Sequence, residues 1–339
     1  MNPERPTPRA RRAIGDAVAA LAAVALIALV ILAPAATAEQ GYPSRAVKLV
    51  VPYPPGALTD LLARAIGDRL GGALGQPVVV ENKPGAGTLV GAEFVAKSSP
   101  DGYTLLMATS TTLGISPALY RPSPIDPRKD FAPVAQVGFV NFFLIANAAF
   151  PAKDMAEMIE AVRHAPGRYN YASVGSGSPH HLFMERLKTE YGLELQHVPY
   201  RGTPAALTDL LTGRIQLMFC DATVAVPNIR AGKVIALGTS AAKPTTLVPA
   251  VKPIAETVPG FDWQAWQGIV APAGTPGEIV ARLAAELQRI QTAAEFRDQL
   301  HQFGMEPSLL QTPSEFATLI EAEQPRWAKV VKESGAKVE

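Results

Sequence analysis

The stretch "VVPYPPGALTDLLARAIG", residues 50–67, carries a β-forming run into a Pro-Pro-Gly corner and then restarts with an apolar helix pattern. Pro54 and Pro55 lack the N–H that a ladder needs, Gly56 permits a tight turn, and leucines return at 58, 61 and 62. The spacing predicts strand, turn and helix in that order. A helix starting here points its unpaired first-turn N–H groups into the space beyond the carboxyl end of the strand. Such a place attracts an anion, and ligands of open α/β sheets bind there. Tyr53, Pro55, Gly56, Ala57, Thr59 and Asp60 are the candidate wall residues of this corner, and its opening turn holds no lysine or arginine.

Outward from the corner, the alternation repeats. Strand candidates lie at 47–51, 78–81, 104–108, 134–137, 142–146, 169–173, 215–220, 234–239 and 268–271. Between most of them run segments with apolar spacings of three and four. Leu58, Leu61, Leu62, Ala65, Ile66 and Leu70 make one stripe, and Ile279, Leu283, Leu287 and Ile290 another. The pattern predicts an α/β fold with mainly parallel sheets flanked by helices. Proline-rich connections at 122–133 and 244–259 read as crossings over the surface. They place domain 1 at 42–140 plus 265–339, with domain 2, residues 141–264, inserted between its halves.

Composition supports this size of structure. With 339 residues, 48% hydrophobic and 18% charged, the chain can bury the cores of about two domains. Residues 1–38 read differently: Arg5, Arg9, Arg11 and Arg12 form a basic head, residues 17–36 carry no charge, and Ala36-Thr37-Ala38 is a small-x-small cleavage pattern. This is a cleaved secretory signal peptide by expectation. An uncleaved anchor is the rival reading, since about twenty apolar residues span a bilayer, but Pro34 and the cleavage pattern end the run. No cysteine follows for a lipid anchor, and the surroundings of Arg11-Arg12 support twin-arginine export poorly. Removal of these residues takes four arginines and two acids from totals of 31 and 30, leaving 27 basic and 28 acidic residues. Such a balance carries no nucleic-acid footprint. Cys220, the single cysteine, ends an apolar run and is expected buried in a strand.

Three further corners end strands. In "YNYASVGSGSPHH", residues 169–181, Ser173, Gly175, Ser176 and Gly177 form a loop, and Ser178-Pro179 supplies an N-cap with proline at the first helical position. It is either a second anion corner or a flexible turn that caps a helix. "TSTTLG", residues 109–114, ends a strand in hydroxyls, led by Thr109 and Ser110. In "FCDAT", Asp221 either faces a cleft or caps the next helix.

Other signals carry less. "PGAGTLVG", residues 84–91, lacks the G-x-G-x-x-G spacing and the acidic strand end of a dinucleotide site, so close packing of a helix on the sheet is its reading. His180 and His181 are adjacent and point about 100° apart on a helix, which precludes the i, i+4 chelation of one metal. No G-x-S-x-G nucleophile elbow occurs. An exported serine hydrolase using Ser176 or Ser178 with His181 is the alternative enzyme reading. No cofactor or metal is expected.

The mature chain resembles the Bug/TctC-type periplasmic substrate-binding receptors of tripartite tricarboxylate transporters. The resemblance rests on "YPSRAVKLVVPYPPGALTD", "GQPVVVENKPGAGTLVGAEFVAKSSPDGYTLL", "DFAPVAQV", "PGRYNYASVGSGSPHHL", "HVPYRGTPAALTDLLTGRIQLMF" and "WQGIVAPAGTPGEIVARL", in order over residues 42–331. It implies a two-domain periplasmic binding protein of type II-like, Venus-flytrap form, with a hinge between the domains. It also implies a monomer that is no enzyme, binds a di-, tri- or aromatic carboxylate or an amino acid in its cleft, and delivers it to membrane permease subunits. A receptor that presents its ligand to a sensory partner is the alternative. Of the family's P-G-G-x-x-D loop, Pro55, Gly56 and Asp60 match, while Ala57 stands at the second glycine. The loop of Ser173, Gly175, Ser176, Gly177 and Ser178 with His181 is intact. Where the family has F-D-N, this chain has Phe219-Cys220-Asp221, so the acid is displaced by one residue. Arg201 in "VPYRG" is the nearest candidate for a direct charge partner, or else a structural surface residue.

Overall fold

Five residues rich in valine, VKLVV, form the first strand because β-branched side chains fit a pleated surface, and four of the five are buried. The computed structural model describes residues 41–200 and 202–337; the signal-peptide reading and Arg201 lie outside the described residues. The chain runs β1 (Val47–Val51), α1 (Leu58–Leu74), β2 (Val78–Asn82), α2 (Leu89–Ala96) and β3 (Thr104–Thr109). A π-turn at Thr111–Ile115 leads into the short α3 (Ser116–Leu119), then β4 (Phe131–Val140) and β5 (Phe142–Asn147). Next come α4 (Met155–Arg163), β6 (Asn170–Ser173), α5 (Pro179–Tyr191), β7 (Gln196–Pro199), α6 (Thr203–Leu211) and β8 (Leu217–Asp221). The chain ends through α7 (Ala222–Arg230), β9 (Val234–Thr239), β10 (Ala265–Pro272), α8 (Gly277–Thr292), α9 (Ala294–Gln302), β11 (Met305–Pro307) and α10 (Pro313–Ser334).

The strands form two sheets, ordered β11-β4-β10-β3-β1-β2 and β7-β6-β8-β5-β9. In the first, β1 pairs parallel with β2 and β3, while β10 runs antiparallel between β3 and β4 and β11 antiparallel beside β4. In the second, β6 is parallel to β7 and β8, and β5 is antiparallel to β8 and β9. The α/β class holds, but both sheets are mixed rather than mainly parallel. The physical reason is the crossing of the chain: only Asn141 separates β4 in one sheet from β5 in the other. A strand that carries the chain across, as β5 and β10 do, enters its new sheet against the direction of the βα repeats. Strands β7 and β11 escaped the sequence reading because QHVP and MEP are short edge segments without an apolar run.

Packing follows the stripes with one correction. Leu62, Ile66 and Leu70 bury one face of α1, whereas Leu61 lies 43% exposed, because one residue of offset turns it about 100° away. In "PGAGTLVG" the close approach is real: a Cβ on Gly91 would stand 2.9 Å from the Lys83 carbonyl oxygen and 3.0 Å from Pro52. Cys220 is buried and free. One core gathers Leu106, Trp266 and Phe316 on the first sheet; another gathers Phe143, Met218 and Cys220 on the second.

Helix α10 joins both layers. A capping box between Thr312 and Glu315 starts it, Phe316 occupies the gap above Gly268 of β10, and Trp327 stacks on Phe183 of α5 with centroids 6.1 Å apart. Trp327 is 1% exposed and also meets Trp263 at 4.7 Å. Trp327→Ala should therefore cost about 3–5 kcal/mol of stability, by loss of burial plus the cavity left behind. Urea denaturation followed by far-UV circular dichroism measures this; a loss below about 1 kcal/mol would contradict the joining role of Trp327.

Candidate functional site

The first corner is held from beneath. Gly56 adopts φ of 80°, and its N–H donates to Asp60 Oδ2 at 2.8 Å. Arg64 Nε and Nη2 reach the two oxygens of Asp60 at 3.1 and 3.0 Å, and Asn82 Nδ2 donates to Oδ1 at 2.8 Å. The same amide nitrogen donates to the Tyr53 carbonyl at 3.0 Å. Asp60 is only 2% exposed. Burial pushes its carboxyl up, but the bonds from Arg64, the Gly56 N–H and Asn82 outweigh burial and hold it below the usual carboxylate range. Its oxygens thus shape the loop from inside. At the N-cap, Ala57 offers no side-chain acceptor, so the first-turn N–H groups of α1 remain for water or a ligand.

The third corner is bonded to the first. Tyr53 Oη lies 3.1 Å from Thr109 Oγ1, and Thr109 Oγ1 lies 3.0 Å from Thr112 Oγ1 while accepting the Thr112 N–H at 3.1 Å. Burial raises the Tyr53 phenol, against the lowering effect of hydrogen bonds with Thr109, Thr111 and Thr112. Beside this network, the buried Ser110 Oγ has no hydrogen-bond partner among the described residues. Neither does Oε1 of Gln267, which β10 places opposite Thr109. Gln267 was missed in the sequence, since only the antiparallel pairing of β10 with β3 brings it here.

The second corner is braced by imidazoles. Gly175 and Gly177 have φ of 120° and 77°. Ser178 Oγ accepts the His181 N–H at 3.4 Å and donates to the Gly175 carbonyl at 2.7 Å, so the predicted N-cap is present. The Gly177 N–H donates to His181 Nδ1 at 3.1 Å, which assigns the ring proton to Nε2, 3.9 Å from Glu185. His181 stacks on His197 at 4.1 Å, and His197 Nε2 lies 2.6 Å from Ser173 Oγ. Burial lowers the His181 pKa. This imidazole is a brace, with its acceptor nitrogen already used, and not a base directed at Ser176 or Ser178.

Two of these corners meet across the sheets. A Cβ on Gly177 would stand 2.3 Å from Leu119 Cδ2; Leu119 ends α3, the helix that continues the third corner. Through Tyr53 and Thr109 the first corner belongs to the same connected set. Asp221 takes the other path: it is the N-cap of α7, accepting the N–H and hydroxyl of Thr223, and Gly304 packs over that helix end, where a Cβ would stand 2.8 Å from the Thr223 nitrogen. Asp221 thus caps α7 through Oδ1, as one of its two sequence readings expects. Neighbouring His180 presents its ring edge to Phe142 at 5.0 Å, and burial pushes its pKa down to about 4. Among the described residues no group of three or more His, Cys, Asp or Glu could hold a metal ion.

Chemically, the connected corners offer oriented N–H groups, hydroxyls and one amide, with no cation among the wall residues. Residues 62–336 match the family described as "Tripartite tricarboxylate transporter family receptor". Protein BugT of Bordetella pertussis is 33% identical over 299 residues, 88% of this chain and 91% of its own. A solved R. palustris protein with adipate is 34% identical, covers 88% of this chain and all of its own, and superposes with a TM-score of 0.76. MatC from Rhodopseudomonas palustris with bound malate is 35% identical at 86% and 100% coverage, with a TM-score of 0.73. With the family description spanning most of the chain and the periplasmic binding protein architecture in both sheets, this protein belongs to the tripartite tricarboxylate transporter receptor family.

Proposed function

We propose that this receptor captures a small organic carboxylate in a cleft between two lobes and delivers it to the membrane permease of a tripartite transporter. The lobes are residues 42–140 with 265–339, and residues 141–264; the leader, residues 1–38, is cleaved on export to the periplasm. One observation carries the reading: α1 begins without a side-chain cap, in the corner that the Tyr53–Thr109–Thr112 hydroxyls tie to the third corner, whose helix ends at Leu119 against the Gly177 loop. An exposed helix start stabilises an anion by about 0.3–1 kcal/mol, rising to about 2 when partly buried. One terminus is therefore too weak alone, and the hydroxyls of Ser110 and Ser176 with the amide of Gln267 supply the remainder. The adipate and malate held by the two R. palustris relatives support a dicarboxylate of four to six carbons.

The test is thermal denaturation of protein stripped of carried-over ligand, against a panel of aliphatic, aromatic and tricarboxylic acids. At 100 times its dissociation constant, a true ligand adds about 2.7 kcal/mol, a shift of several degrees. No shift from any member at millimolar concentration would overturn the reading.

A further inference from the structure

A cavity of about 410 Å³ lies on the hinge, away from the corners described above. Both connections between the sheets contribute to it: Asn141 from the first and Gln264 from the second. Its apolar walls include Phe139, Trp266, Leu310 and Leu319. This is the volume and lining of a small-molecule site.

Glu323 of α10 supplies the polar group. It is 7% exposed, and its Oε2 accepts the indole N–H of both Trp266 and Trp327. Oε1 accepts nothing among the described residues, and it is not a sealed atom, so it opens to the cavity that Glu323 lines. Two neighbouring charged side chains are committed at least in part to other bonds. Arg326 of α10 stacks over Trp263 and donates to the Asp262 carbonyl at 2.9 Å. Glu306 of β11 accepts through Oε1 alone, from Asn141 Nδ2 at 3.2 Å, Thr245 Oγ1 at 2.7 Å and the Thr246 N–H at 3.2 Å, and its second oxygen adds to the negative character of the cavity. Asp262 and Lys243 stand at the rim, both exposed. A carboxyl with one free oxygen in the wall of a partly apolar pocket selects a donor, and a charged donor forms the stronger bond.

We propose that the hinge cavity is a second binding site, which takes a small cationic amine with an aromatic or branched apolar body and sets its ammonium group against Glu323. The sign of the pH dependence follows. Burial pushes the Glu323 carboxyl up to about 7, and the ionised form is the one that holds the amine. Affinity rises as pH increases through that value.

Isothermal titration of the full mature chain with 2-phenylethylamine tests the site. Saturable binding is expected, tightening roughly tenfold from about pH 6 to about pH 8. Glu323→Gln, which still offers the indoles an acceptor, should weaken it about tenfold or more. Leu309→Arg places a cation at the rim on a side chain that is 72% exposed, and it should weaken binding severalfold without disturbing the core. No saturable binding up to about 10 mM, equal affinity for neutral 2-phenylethanol, or wild-type affinity in both variants would each overturn the proposal. Carboxylate binding measured on the same samples reads the cleft separately, so loss of one site is distinguishable from loss of the other.

Discussion

Replacing Gly177 with valine should reduce carboxylate affinity by about 100-fold, equivalent to about 2.7 kcal/mol. Two effects combine. The backbone there has φ of 77°, a region that costs an L-residue roughly 1–2 kcal/mol and a β-branched one more. The added Cβ would also stand 2.3 Å from Leu119 Cδ2, so either the loop or α3 must move. Displacing the loop breaks the Gly177 N–H bond to His181 Nδ1 and spoils the only direct meeting described between the second and third corners. Global stability should fall by about 1–3 kcal/mol, as for overpacked sites. Leu119→Ala in the same chain relieves the steric part and should recover part of the affinity. Titration of the single and double variants separates the two effects; unchanged affinity in Gly177→Val would remove this loop from the binding site.

Asp60→Ala should have the largest effect on the first corner, with a loss of about 1–3 kcal/mol of stability. The carboxylate receives bonds from Arg64, Asn82 and the Gly56 N–H. Asp60 itself is buried, but its donors are not: Arg64 is half exposed and can turn to water, so the loss is chiefly that of the bonds which fix the corner. Because the folded-state pKa of Asp60 is depressed, its contribution is fully present above the unfolded value of about 4 and is lost as pH falls through the lower folded value. Urea denaturation of wild type and Asp60→Asn at a series of pH values should give curves that converge below about pH 4. A constant gap down to the lowest pH would show that Asp60 acts through shape alone.

Several site features were legible because they are local. Ser178 as N-cap and Pro179 behind it form a short-range signal, and both are found as read. Gly56 and Gly177 mark positions where the chain must take positive φ, and a glycine within a strand-to-helix turn announces that need directly. The roles of Asp60 and His181 were not legible in the same way. Both look like ligand groups in a loop motif, yet both turn toward the protein and bond to it. Sequence spacing gives the position of a side chain but not the direction in which its lone pairs are satisfied. Of the two readings of Asp221, capping is the one that local spacing carries, because the Thr223 N–H lies two residues on, within reach of Oδ1.

What the sequence determined by itself was the order of nine of the eleven described strands, the corners that end them and the family, since these follow from propensity, periodicity and short motifs. Tertiary structure alone decided that the sheets are mixed, that Gln267 lies opposite Thr109, that Leu119 abuts Gly177, and that Glu323 binds two indoles at the hinge. Each of these joins residues far apart in the chain; Trp266 and Glu323, for example, are 57 positions apart. Such pairs are brought together by which strand lies beside which, and that is settled by the burial of whole faces of sheet and helix and not by any local pattern.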